Sequence, residues 1–265
     1  MYNKFLFMPL ALCLAAISLT GCVSTQLKSM GTLPMPTAHQ PRLNPESKDA
    51  EKVVSVDGFA LFNNSWTNTD EIYGGGGSVS GIYRFGGGLS PLFTSLTVGG
   101  YGGNVNFACD KKKDCGEGYR NWLKHGKNNA DQSFWGIQER VMFGAEFNIP
   151  ANLFLGLGGG AMIYQSGGDY DKIRKKLDKA FRNIDSDNEH VGAYLLISTW
   201  LGYHIGQNGK YGTISLDMSA SNAFFDDNMI SLPMNLGYFH PSGFHGGVGY
   251  ANGGADVFVG KSFQF

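Results

Sequence analysis

The sequence predicts an all-β protein, an antiparallel up-and-down β-barrel of eight to ten strands with one short helix in a loop. Three observations lead there. Apolar and polar residues alternate over unusually long runs, which marks strands with one apolar and one polar face. Tight and long connections alternate between those runs. The composition is rich in glycine (39 residues) and aromatics (13%) but only 16% charged, unlike a disordered chain, which is charge-rich and aromatic-poor. A net charge of −1 supplies no general field for nucleic acid, so none is expected as a partner.

The N-terminus comes first. Lys4 and the apolar run 5–17 have the form of a signal sequence, and the run is too short to cross a bilayer as a helix. Leu19-Thr20-Gly21-Cys22 follows and resembles the lipobox of bacterial lipoproteins. That resemblance implies a signal peptide at 1–21, cleavage before Cys22, and acylation of its thiol and new amine. Several acyl chains anchor firmly where one binds marginally. Val23, in place of the aspartate that retains enteric lipoproteins at the inner membrane, implies the outer membrane as destination. Covalent lipid at Cys22 is then the only cofactor expected. Residues 22–52 contain Pro34, Pro36, Pro41 and Pro45 and show no periodicity, so they read as a flexible tether. The folded domain is assigned to 53–265. Cys13 leaves with the signal peptide, which leaves Cys109 and Cys115; in an oxidising compartment these are expected to form a small-loop disulfide. The rival reading, a metal site, finds no neighbouring histidine, and no metal is expected.

Ten strands are then assigned: 53–65, 78–87, 92–107, 132–148, 153–165, 190–205, 211–221, 230–240, 244–251 and 254–265. The clearest is the seventh, where Ile214, Leu216 and Met218 alternate with Ser215, Asp217 and Ser219. In the sixth, Val191, Ala193, Leu195, Ile197, Leu201 and Tyr203 share one face. Such lengths suit a tilted membrane crossing of about nine to eleven residues in lipid. Short turns near 89–91, 149–152, 206–210 and 241–243 alternate with longer loops near 67–77, 108–131, 167–189 and 222–228. That asymmetry is typical of outer-membrane barrels, with tight periplasmic turns and long outer loops. An even count places both termini on the short-turn side, beside the anchor. Eight strands is the alternative, because Pro233 removes a ladder bond from the eighth. The last strand carries Val257, Val259, Phe263 and the final Phe265 on one face. This resembles the C-terminal signal of outer-membrane barrels, with Lys261 interrupting the series.

The polar face holds Asp57, Arg84, Arg140, Glu146 and Asp217, with Gln138 and Asp256. In so narrow a barrel these are expected to fill the lumen as a charge network and leave no wide channel. The one helix is expected at 169–184, where Tyr170, Ile173, Leu177, Phe181 and Ile184 make an apolar stripe against basic faces. It would cap the barrel mouth or meet lipopolysaccharide phosphates.

Signatures of chemistry are weak. Residues 156–161 match a dinucleotide-binding pattern, but a strand continues where a helix is required. Gly74–Gly77 read as a flexible loop. His240-Pro241-Ser242, with Asp256 downstream, resembles the His-x-Ser arrangement of outer-membrane lipid A deacylases. His204, His240 and His245 are a conceivable metal set. Asp226-Asp227 resembles the acidic pair of ten-stranded surface proteases, with only His125 and His190 as nearby histidines. No enzyme is expected. The expectation is a lipid-anchored outer-membrane barrel with a surface-interaction or envelope-structural role. The alternatives are a tethered lipocalin-like barrel holding an apolar ligand, with Ile214, Leu216 and Met218 inside, and an outer-membrane lipid-modifying enzyme.

Overall fold

The computed structural model describes residues 26–27, 39–42, 44–64, 70–107, 132–173, 185–186, 191–223, 230–231, 233–251 and 254–265. The lipobox, Cys22, Cys109, Cys115, His125, His190, Asp226, Asp227 and positions 174–184 of the expected helix lie outside them.

Ten antiparallel strands close into one barrel. They are β1 (Glu51–Asn64), β2 (Asp70–Arg84), β3 (Leu92–Phe107), β4 (Gln132–Ile149) and β5 (Leu153–Gly168). The second half comprises β6 (Val191–His204), β7 (Thr213–Ala223), β8 (Ile230–Ser231 and Met234–Phe239), β9 (Phe244–Ala251) and β10 (Gly254–Gln264). Each pairs with its neighbours in sequence, and β10 closes on β1 with Phe258 opposite Phe59 and Phe263 opposite Val54. Pro233 falls in the gap that splits β8, as expected of a residue without an amide proton. The alternative of eight strands is thereby excluded.

Two features depart from the sequence expectation. Gly74–Gly77 belong to β2, paired to both β1 and β3, and do not form a loop. Glycines carry no inside–outside signal, and here their bare backbone makes room for neighbouring rings: a Cβ on Gly76 would lie 2.8 Å from the Phe59 ring. The second departure concerns the segment read as a tether. Gln40, Pro41 and Arg42 are buried and bonded to the barrel interior, and β1 begins at Glu51 rather than 53.

The expected helix is present at 169–173, where Tyr170 and Ile173 are buried and Lys172 bonds Asp169 at 2.8 Å. Two more residues, Gln26 and Leu27, pair in parallel with Asp185 and Ser186 in the connection between β5 and β6.

Alternation assigns the faces. Along β6, Tyr194, Leu196, Ser198, Trp200 and His204 are buried, whereas Val191, Leu195, Ile197, Leu201 and Tyr203 are exposed. The barrel therefore carries its polar groups, and a set of large aromatics, inside.

Candidate functional site: the plugged lumen

A buried apolar cluster lies at the short-turn end of the lumen. Phe93 from β3, Met142 from β4, Phe154 from β5, Trp200 from β6, Val53 and Ile82 make one buried cluster. Trp200, 1% exposed, fits because β5 places Gly156 opposite it: a Cβ there would come within 1.9 Å of the indole. The glycine run that matches a nucleotide-binding pattern thus serves strand packing.

His39 completes this cluster from the N-terminal segment. Its ring stacks on Trp200 (centroids 3.9 Å, 22°) and lies 4.9 Å from Phe93. Its Nε2 bonds Glu146 at 2.8 Å, and its backbone N–H donates to the Asp217 carboxylate. Burial pushes the imidazole below its ordinary pKa even though the neighbouring Glu146 pulls it up. Arg42 lies nearer the mouth. Its N–H donates to Glu146 (3.1 Å) and its guanidinium to the carbonyls of Ser47, Asp49 and Ser90. The segment is thus fastened to the β2–β3 turn.

Of the charged residues expected in the lumen, Arg84 and Glu146 meet at 3.7 Å. Arg84 also lies 3.5 Å from Glu51 and donates to the Gln40 carbonyl. Further in, Asp57 bonds His245 Nε2 at 2.5 Å. Arg140 and Asp217 line the same cavity as Asp57. Asp217 also accepts from Ser215 at 2.8 Å. Glu51, His39, Arg42 and His245 completed these groupings unforeseen. Only the alternation of β1 and β9 signalled any of them, by putting Glu51 and His245 on the inward period.

Ser55, Asp57 and His245 meet in the lumen, but not in the order of a hydrolytic triad. Ser55 Oγ donates to Asp57 at 3.1 Å and lies 3.4 Å from His245 Nε2, the same nitrogen that Asp57 meets, whereas Nδ1 faces the Gly243 carbonyl (3.1 Å) and Ser262 Oγ (3.3 Å). A hydrolytic triad needs serine, histidine and acid in series. His240 and Ser242 do bond each other (2.7 Å), exposed on the β8–β9 turn. Asp256, however, is buried opposite Gly249, five register steps along β9 from Phe244, about 17 Å away at strand rise. The lipid-modifying site therefore does not assemble. His204 bonds Thr213 (2.9 Å), and no three potential ligands are grouped for a metal among the described residues.

The outside is mostly apolar, although Glu139 lies outward on β4 between Ile137 and Val141. Val56, Val79, Val141, Leu157, Ile197, Ile214, Leu216 and Val259 all point outward and are exposed, Val259 to 66%. Tyr83, Phe147, Tyr203, Tyr211, Tyr238 and Phe244 ring the short-turn end; Phe62, Tyr73, Trp135 and Tyr250 ring the other. Lys261 shares the apolar face, but its ammonium bends to the rim, over the Phe244 ring (4.0 Å) and onto the Ser242 carbonyl.

No protein-family model matches the chain, and no curated protein sequence is similar to it. Among solved structures, it is similar to the translocator domain of the autotransporter NalP from Neisseria meningitidis, with 11% identity, a TM-score of 0.42, and 84% of this chain and 91% of that one covered. Neisserial surface protein A gives 9% identity and a TM-score of 0.34 over 80% of this chain and 95% of its own. The outer membrane protein OprG from Pseudomonas aeruginosa gives 6% and 0.34 over 83% and 97%.

Proposed function

We propose that this chain is an integral β-barrel of the bacterial outer membrane, additionally anchored by lipid on Cys22, with a non-enzymatic role carried by its long loops. The observation that carries this reading is the exterior: an apolar band between two aromatic rings, around a polar-lined lumen. Transmembrane barrels need that inversion, whereas a soluble barrel needs the reverse. A tethered lipocalin-like barrel would require Ile214 and Leu216 inside, and both are outside. The segment seated at the short-turn mouth supports a structural or adhesive role over solute conduction. The long connections, among them the one that follows the helical turn at 169–173 and carries Arg174, Lys175, Lys176, Lys179 and Arg182 in its sequence, are the parts available to lipopolysaccharide or a surface partner.

The test is extraction of membranes carrying wild type and Cys22→Ala, by carbonate wash and by gel migration with and without heating. The unlipidated protein should stay in the membrane and migrate differently unheated. Release as a soluble protein would mean that lipid is the only anchor and the embedded barrel is wrong.

A further inference from the structure

A carboxylate sits where acyl chains would surround the barrel. Glu139 points outward on β4 and is exposed, between Ile137 and Val141. Its cross-strand neighbours are Val98 on β3 and Ile163 on β5, both exposed on the same outer face. Along β4 it lies four residues from Trp135, in the long-loop aromatic ring, and eight from Phe147, in the short-turn ring. At strand rise and usual tilt it is therefore about 10 Å inside the long-loop ring. That is too deep for so short a side chain to bring its carboxylate to the headgroups. Glu139 has no hydrogen bond or ion pair with the described residues. A charge facing lipid is costly, and ionisable groups within membranes pair with others.

The surroundings of Glu139 describe what could pair with it. Gln165 on β5 stands opposite Ile137, outward and diagonal to Glu139, within reach of a long side chain. A carboxylate and a carboxamide oxygen thus face one spot, as a guanidinium or ammonium requires. On the other flank, Gly100 is diagonal to Glu139 and opens a bare stretch of wall. Gly100 and Gly102 of β3, Gly75 and Gly77 of β2, and Gly58 and Ala60 of β1 lie in two adjoining rows. Val79 and Tyr73 stand above this surface on either side. From β1 to β3 the depression is about 10 Å wide at the spacing of paired strands, and small residues let another backbone come close. This chain does not supply the cation. Among the described residues, the outward-facing lysines of the wall, Lys52 and Lys261, belong to the short-turn end. A second copy packed on this face would set glutamate against glutamate.

We propose that this face, centred on Glu139, docks a membrane-embedded segment of a second protein that presents arginine or lysine at the same depth. The depression alone would suit any occupant; the charge selects this one. The docking presupposes the embedded barrel. The test starts from native membranes carrying the full-length protein, dissolved in mild detergent and run on a native gel beside the purified barrel. Wild type and the far-wall control Ala220→Leu should run as a discrete species heavier than the barrel, whereas Glu139→Leu and Gly100→Leu should fall to the barrel's own mass. A photo-cross-linking residue at Val98 should give an adduct whose partner peptide carries arginine or lysine and comes from another protein. That adduct should weaken by about tenfold or more in Glu139→Leu. In purified protein in lipid vesicles, Glu139→Leu should raise the urea midpoint, which also shows that the variant folds. A wild type already at the barrel's own mass, or an adduct with this chain's own sequence, overturns the proposal. A Cys22→Ala protein released by carbonate sinks the embedded barrel and the docking with it. One retained in the membrane, with the mass of the complex unchanged by Glu139→Leu, sinks the docking alone.

Discussion

Replacing Gly156 by alanine should be among the most damaging small changes in this barrel. The added Cβ would lie 1.9 Å from Cε2 and Nε1 of Trp200. An ordinary carbon contact is about 3.6 Å, so the indole must retreat by about 1.7 Å. The His39 ring already stacks on it at 3.9 Å and Phe93 lies 5.6 Å away, which leaves it little room. The backbone cannot give easily either, because Gly156 is held opposite Trp200 and Glu146 in two ladders. Overpacking of a filled interior costs about 1–3 kcal/mol, and a rigid indole belongs at the upper end. Gly159, three residues along the same strand, is the control: its Cβ would meet nothing nearer than 3.7 Å, so Gly159→Ala should change stability by no more than about 0.5 kcal/mol. The assay is equilibrium unfolding in urea, followed by the loss of the heat-modifiable band. The double variant Gly156→Ala/Trp200→Leu should be more stable than the sum of its parts, by about 2 kcal/mol, because the steric conflict is gone. Equal, small effects at 156 and 159, with no coupling to Trp200, would refute the packing argument.

Three further outcomes follow from the same geometry. Val141→Arg, outward at the middle of β4, should destabilise the barrel by about 2–4 kcal/mol in lipid, while Tyr211→Arg at the rim should cost about 0–1; urea titration in vesicles reads both, and equal effects would count against a bilayer around the wall. Arg84→Met leaves Glu51 and Glu146 buried with a shared partner removed, a change worth about 3–5 kcal/mol in the same titration. Acidification should loosen the seated segment: His39 has a lowered pKa when seated, so the released state takes up a proton first as pH falls below about 6.5, and the stability of seating falls with it. Proteolysis at 44–50 should therefore accelerate from pH 7.5 to pH 5.5 in wild type and much less in His39→Phe; parallel pH profiles would remove His39 from the account.

The strands were readable because the barrel wall imposes period two on every one of them, and because its outward positions are mostly apolar. That is why nine of the ten strand starts lie within two residues of their expected places, and why the exception is β2, whose first half contains the run Gly74–Gly77. The inward set was readable as a set for the same reason: Asp57, Arg84, Arg140, Glu146 and Asp217 all fall on the inward period. Their partners were not readable, because pairing across a lumen depends on strand stagger and on side chains that meet over long sequence separations. Asp57 finds His245 at a separation of 188 residues, and Glu146 finds His39 at 107. His39 to Arg42 left the least trace of all. A segment that lines no sheet has no period, and its prolines and polar residues suit a free linker equally well. What distinguishes it is a vacancy supplied by others: Gly156 clears space for Trp200, and Trp200 presents the face on which the His39 ring stacks. The site is thus encoded in β5 and β6 as much as in the residues that occupy it, and only the closed barrel brings those instructions together.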